Sequence, residues 1–152
     1  MPNWIEGTFR VKGSKENIER FILGALKASD DREGGVIRDD EMFFVNESGG
    51  SLWLVDSSRQ FLDEEYIEPF KTKDGKYIFS CRYRGAWGID RERIVALSEE
   101  YGVRIKVNGY ERGTQYEEML DVDNGKIVGQ RKIEYEEYEE WVWNCDMPNM
   151  GG

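Results

Sequence analysis

Two stretches of helical period interrupt a chain that otherwise alternates between apolar and polar residues, and this pattern constrains the fold more than any composition does. Residues 4–11 place Ile5, Gly7, Phe9 and Val11 on one side and Trp4, Glu6, Thr8 and Arg10 on the other. A period of two predicts a strand. Gly13-Ser14 follows, with Ser14 suited to a helix N-cap. Ile18, Phe21, Ile22, Ala25 and Leu26 then recur at helical spacing, which predicts an amphipathic helix with one buried stripe. A second helix is expected over residues 91–101. Asp90 suits its N-cap, Ile89 and Ile94 form a hydrophobic staple across it, and Gly102 sits where a left-handed residue closes a helix. Ile94, Leu97, Ser98 and Tyr101 mark its inner face.

Between the helices, residues 28–41 read as an exposed loop. Met42 to Val45 and Leu52 to Val55 are short apolar strands around Gly49-Gly50, a hairpin pattern. Residues 59–70 follow no single period; a short helix through Phe61, Leu62, Tyr66 and Ile67 that ends before Pro69 is one reading of them. Asp74-Gly75 is a two-residue turn signal, so residues 69–73 and 76–84 are expected to pair. Val103, Ile105 and Val107 alternate with Arg104 and Lys106 as a further strand. Asn108-Gly109 and Asn124-Gly125 read as turns, and strands are expected at 114–122, 126–130 and 131–143. The order predicts an α+β domain with two helices packed on one face of a mostly antiparallel sheet. One domain over residues 1–146 is expected, with a loose tail at 147–152.

The chain has 152 residues, 31 acidic and 21 basic, and a formal charge of −10. Aromatics make up 13%, which argues for a folded domain over an acidic disordered tail. There is no histidine, so the usual general base and the commonest metal ligand are both missing. Two cysteines, Cys81 and Cys145, are too few for a disulfide framework; a single bridge is the alternative, and reduced thiols in a cytoplasmic protein are the expected state. The opening Met1-Pro2-Asn3-Trp4-Ile5-Glu6-Gly7 shows no basic start and no apolar stretch, so no secretory signal is read there. No apolar run reaches the roughly 18 residues of a membrane span.

The opening Met1-Pro2-Asn3-Trp4, the strand to Gly13 and the helix ending near Leu26 resemble phage and plasmid proteins that carry the YubB ferredoxin-like domain. So does the second segment, in which Gly85-Ala86-Trp87 precedes a helix to Leu97-Ser98, then Tyr101-Gly102-Val103-Arg104-Ile105 and Tyr110-Glu111-Arg112-Gly113. The resemblance implies a ferredoxin-like fold, here with an additional C-terminal β-hairpin region, and an origin in a mobile element. It supplies no activity, cofactor or active site.

Reactive clusters are sparse. Cys81 alternates with Phe79 and Tyr83 on an inner face and has no histidine partner, so a buried structural thiol is expected. Asp121-Val122-Asp123-Asn124-Gly125 begins like a calcium loop, but position 5 is Gly125 and position 12 is Lys132, so a hairpin turn is expected and no metal. Adjacent carboxylates such as Glu117-Glu118 carry little information in so acidic a chain. No catalytic residue and no cofactor are assigned, and the protein reads as a non-enzyme.

Two surfaces remain. Arg10, Lys12, Arg82, Arg84, Arg104 and Lys106 alternate outward on three strands, the pattern of a nucleic-acid-binding sheet face. Cross-strand pairing with carboxylates is the simpler account of them. The other surface is the C-terminal run from Lys132 to Trp143. Residues 111–152 hold 11 acids against 4 bases, a balance of −7 out of −10. Glu117, Glu118, Glu134, Glu136, Glu137, Tyr138, Glu139, Glu140, Trp141 and Trp143 are therefore the expected contacts with a host protein of basic surface. In its sharpest form that partner is a defence nuclease, blocked by imitation of nucleic acid in the anti-CRISPR or anti-restriction manner. Direct nucleic-acid binding is the alternative. Solvated glutamates, with the aromatics turned into the core, are the simplest account of the run.

Overall fold

The computed structural model describes residues 3–29 and 34–135. The described chain runs β1 (Trp4–Gly13), α1 (Lys15–Ala25), β2 (Leu26–Ala28), β3 (Val36–Asp40), β4 (Phe43–Asn46), β5 (Leu52–Leu54), β6 (Gln60–Leu62), β7 (Tyr66–Ile67), β8 (Phe70–Lys71) and β9 (Tyr77–Ala86). It continues through α2 (Arg91–Tyr101), β10 (Arg104–Glu111), β11 (Tyr116–Asp123) and β12 (Lys126–Glu134). All strand pairs are antiparallel. Nine strands form one sheet in the order β12-β11-β10-β1-β9-β6-β5-β2, with β8 added beside β9, and a second sheet has the order β3-β4-β7. The α+β class and the two helices on a large antiparallel sheet agree with the sequence. The sheet is larger than a simple ferredoxin fold.

β1 organises the large sheet. Its polar residues alternate with fully buried Ile5, Phe9 and Val11, and it pairs along its length with β9 and over Ile5–Lys12 with β10. Both helices lie over the apolar side. Ser14 accepts the Asn17 N–H at 3.2 Å to start α1, which buries Ile18, Phe21, Ile22 and Ala25. Asp90 accepts the Arg93 N–H at 3.2 Å to start α2, and Gly102 ends it at φ +62°. The helices meet where Tyr101 sets its edge against Phe21, ring centroids 5.5 Å apart. Burying each such large side chain contributes roughly 1.5–3 kcal/mol.

Several expectations fail locally. Asn108-Gly109 is no turn: it lies inside β10, opposite Thr8 and Gly7 of β1. There the two backbones crowd, since a Cβ on Gly7 would fall 1.9 Å from the Asn108 carbonyl oxygen. Glycine is present for that approach and not to reverse the chain. Among the described residues of 28–41, Ala28 ends β2 and Val36–Asp40 forms β3, which is so largely exposed that no alternation betrays it. β4 and β5 do not form a hairpin, because they belong to different sheets. Asn46 turns the chain between them, its Nδ2 donating to the Gly50 carbonyl at 2.7 Å and the Glu64 carbonyl at 3.0 Å. Residues 59–70 are not helical. Gln60–Leu62 is drawn into the sheet beside β9, and Ile67 beside Phe44 of β4.

The Asp74-Gly75 and Asn124-Gly125 turns form as expected, the first joining β8 to β9 and the second β11 to β12. Residues 126–134 make one strand, where two had been expected to divide at residue 130. At its bulge, Asp121 pairs with Gly129 and Val122 with Ile127, leaving Val128 unpaired. Tail residues 147–152 lie outside the described residues, as does Cys145.

Gly7→Ala should destabilise the fold by about 2–3 kcal/mol, because backbone oxygen cannot yield as a side chain can. Gly35→Ala, with open space around it, should stay within about 0.5 kcal/mol of the parent. Urea unfolding followed by tryptophan fluorescence compares the two.

Candidate functional site

The three strands β10, β1 and β9 lie side by side, so the six expected cations share the face turned away from the helices. Arg10 stands opposite Lys106 and Ser80, Lys12 opposite Arg104 and Ile78, and Arg82 opposite Thr8. Four of the six already have carboxylate partners. Lys12 meets Asp74 at 3.2 Å, Arg82 meets Glu64 at 3.5 Å, Arg84 meets Asp63 at 2.7 Å, and Arg104 meets Asp121 at 2.8 Å. The Arg104 contact is two-pronged, and its hydrogen bonds hold the Asp121 carboxyl below the usual range. Hydrogen bonds from Thr72 and then Lys12 bring Asp74 down to about 2. Among the described residues, Arg10 and Lys106 have no ion-pair partner. They border a depression of about 210 Å³ with Lys12, Arg104 and Ile78.

An aromatic cluster that the sequence had not suggested continues this face. The Arg84 guanidinium lies 5.1 Å from the Trp4 ring centre and 5.7 Å from that of Phe61, while Arg59 lies 5.3 Å from Trp4. Each such contact contributes about 0.5–1 kcal/mol at a partly exposed site. Trp4 shows only as the polar-side member of an alternating strand, and Phe61 falls in the segment read as a helix.

The acidic candidates divide. Glu117 is buried. Glu118 is half-buried on the opposite face of β11, as successive strand residues must be. Glu134 is exposed, with Lys132 3.5 Å away. Glu136, Glu137, Tyr138, Glu139, Glu140, Trp141 and Trp143 lie outside the described residues.

Glu118 borders a cleft of about 590 Å³ between the start of α2 and β11–β12, together with Arg91, Arg131 and Lys132. Burial pushes its carboxyl above the ordinary value, opposed by the Ile89 N–H that it accepts. Beside it, Gln60 holds the loop into α2. Its Oε1 accepts from the Tyr83 hydroxyl and from the Asp90 N–H at 3.1 Å, and its Nε2 donates to the Gly88 carbonyl at 3.0 Å. That loop carries Trp87 at φ +62° and 68% exposed, its N–H donated to the Asn3 carbonyl at 2.9 Å.

Cys81 is buried, and burial pushes its thiol far up, as a structural role requires. Asp121 serves Arg104 and the hairpin follows it, so the calcium-loop likeness ends there. Among the described residues, no group of three or more Cys, Asp or Glu is arranged to hold a metal ion. No helix among them is long and apolar enough to cross a membrane. Comparison with protein-family models, curated proteins and solved structures finds no match.

A carboxyl with a raised folded-state pKa favours folding most when protonated, and that contribution fades as pH rises through the folded pKa. Glu118→Gln should therefore raise the urea midpoint at pH 7, and the gain should vanish by about pH 3, where the parent carboxyl is neutral. Equal midpoints at pH 7 would contradict this.

Proposed function

We propose that the protein is a non-enzymatic accessory protein of a phage or other mobile element that binds a basic host protein through carboxylate-rich, aromatic-bearing surface. The observation that carries this reading is where the charge goes. Four of six sheet-face cations are neutralised by neighbouring carboxylates, only one of which, Asp121, belongs to the 11 acids that residues 111–152 hold against 4 bases. An outward field of this sign attracts cationic surfaces and repels phosphate chains. A host defence nuclease, which must carry a cationic channel for its own substrate, is the partner that such a surface fits best. Two crossovers, β1–α1 and β9–α2, flank the adjacent strands β10-β1-β9, which supports a ferredoxin-like core enlarged by added strands.

Affinity purification from host lysate tests the reading. Changing Glu134, Glu136, Glu137, Glu139 and Glu140 together to Gln should remove basic nucleic-acid enzymes from the recovered partners, whereas an unchanged partner set refutes the role of the run.

The depression at Arg10 and Lys106 favours a second reading, a nucleic-acid-binding accessory protein. Its cations and the Trp4–Phe61 cluster share one open face, separated along β1 by about 20 Å of strand. On this reading, a labelled single-stranded oligonucleotide binds in low salt, and Arg10→Glu with Lys106→Glu weakens it at least about tenfold. Anisotropy unchanged by the parent protein eliminates it.

A further inference from the structure

A groove of about 460 Å³ opens between β7, β8 and the neighbouring stretch of β9. Three properties of it point to the same kind of occupant. The first is charge. Glu64, Glu65 and Glu68 border it, and its one lining cation, Arg82, is already engaged by Glu64. Glu65 and Glu68 are exposed and have no ion-pair partner among the described residues.

The second property is exposed aromatic surface. Tyr66 and Phe70 are 56% and 59% exposed, although both are large and belong to strands. Tyr66 is backed by Phe43 at a ring-centre distance of 5.5 Å, so it is held in place and still open to solvent. Held aromatics beside uncommitted carboxylates are the composition of an interaction surface, because they bury much area at little entropic cost.

The third property is an unfilled position on β9. Arg82 donates its N–H to the Glu64 side chain at 2.8 Å, and its carbonyl accepts the Asp63 N–H at 3.0 Å, both on the side away from β1. Backbone groups of an antiparallel strand face the same neighbour at every second residue. Ser80 therefore directs its own N–H and carbonyl outward, into the groove. β6 covers β9 only over Tyr83–Gly85 and β8 only over Tyr77 and Ile78, so among the described strands Ser80 pairs with Arg10 of β1 alone. Continuing the β8 register would set Glu68 opposite Ser80, but Glu68 and Pro69 lie between β7 and β8 and belong to neither strand.

We infer that this groove docks an extended, lysine- or arginine-bearing segment of a protein partner. The segment adds a short strand at Ser80, lays apolar side chains on Tyr66 and Phe70, and sets its cations against Glu65 and Glu68. The inference rests on the reading of the protein as a binder of basic proteins, and it assigns that contact to groove residues and not to the C-terminal acidic run.

The probe is a fluorescein-labelled peptide of about eight residues alternating lysine and valine, with an alternating glutamine–valine peptide as control. Fluorescence anisotropy should show binding of the lysine peptide alone, weakened by added salt. Glu65→Gln with Glu68→Gln, and separately Tyr66→Ser with Phe70→Ser, should each lower affinity at least tenfold. All four side chains are exposed, so the folded state should survive these changes, and far-ultraviolet circular dichroism checks it. Changing the five C-terminal glutamates to Gln should leave affinity within about threefold. N-methylation at the centre of the peptide should lower affinity about tenfold, and the Ser80 amide should become protected from hydrogen exchange when the unmodified peptide is bound. Affinity unaffected by either groove variant overturns the inference, as does no binding of the lysine peptide at all. Binding lost only with the C-terminal variant also overturns the groove, while leaving the wider reading of a basic partner intact.

Discussion

The large sheet and both helices are hung on β1 and its two neighbours. Because β1 pairs with β9 on one side and β10 on the other, both crossover helices are anchored to the same three strands, and Phe9 and Val11 lie beneath them. That arrangement needs the backbones of β1 and β10 to approach closely at Gly7 and Gly109, where side chains would collide with main chain. The room this leaves lies in the same cross-strand row as Tyr83 and Glu118, polar groups beside the start of α2. A packing requirement in the centre of the sheet thus shapes the chemistry at its end.

The opposite face shows how an acidic chain can carry six cations on neighbouring strands and pair most of them. Asp63, Glu64, Asp74 and Asp121 come from a loop, a turn and a neighbouring strand, and each meets a different cation of the central strands. Exposed pairs of this kind contribute little to stability individually, about 0–1 kcal/mol. Their larger effect is on what approaches from outside: they neutralise four of the six cations of the sheet face and leave Arg10 and Lys106 beside the depression they border.

The sequence made the two helices, their caps and the central strands legible, since each rests on a local rule: Ser14 and Asp90 at helix starts, Gly102 at an end, alternation in β1. It concealed whatever depended on a distant partner. Asn108-Gly109 has the composition of a turn, and only β1 lying alongside makes it strand. Gln60–Leu62 has apolar spacing compatible with a helix, and only β9 beside it fixes it as extended. The short exposed strand β3 has no buried side to produce a pattern. The open-face cations were legible because alternation alone assigns their side. Their pairing with carboxylates was legible too, but not the partners: Asp121 lies across strands, whereas Asp63, Glu64 and Asp74 come from a loop and a turn. Tyr66 and Phe70 were invisible as surface for a similar reason: apolar residues in a short segment read as core unless the fold shows that nothing covers them.

Among the described residues, β12 ends the large sheet, and its make-up bears on assembly. β12 carries Lys126, Arg131 and Lys132 and is bent by its bulge at Val128, devices that make a strand a poor template for another chain. So wide a sheet with a straight, neutral last strand would recruit its own copies side by side and grow into fibres. Here, the cations and the bulge of β12 discourage lateral growth at that margin.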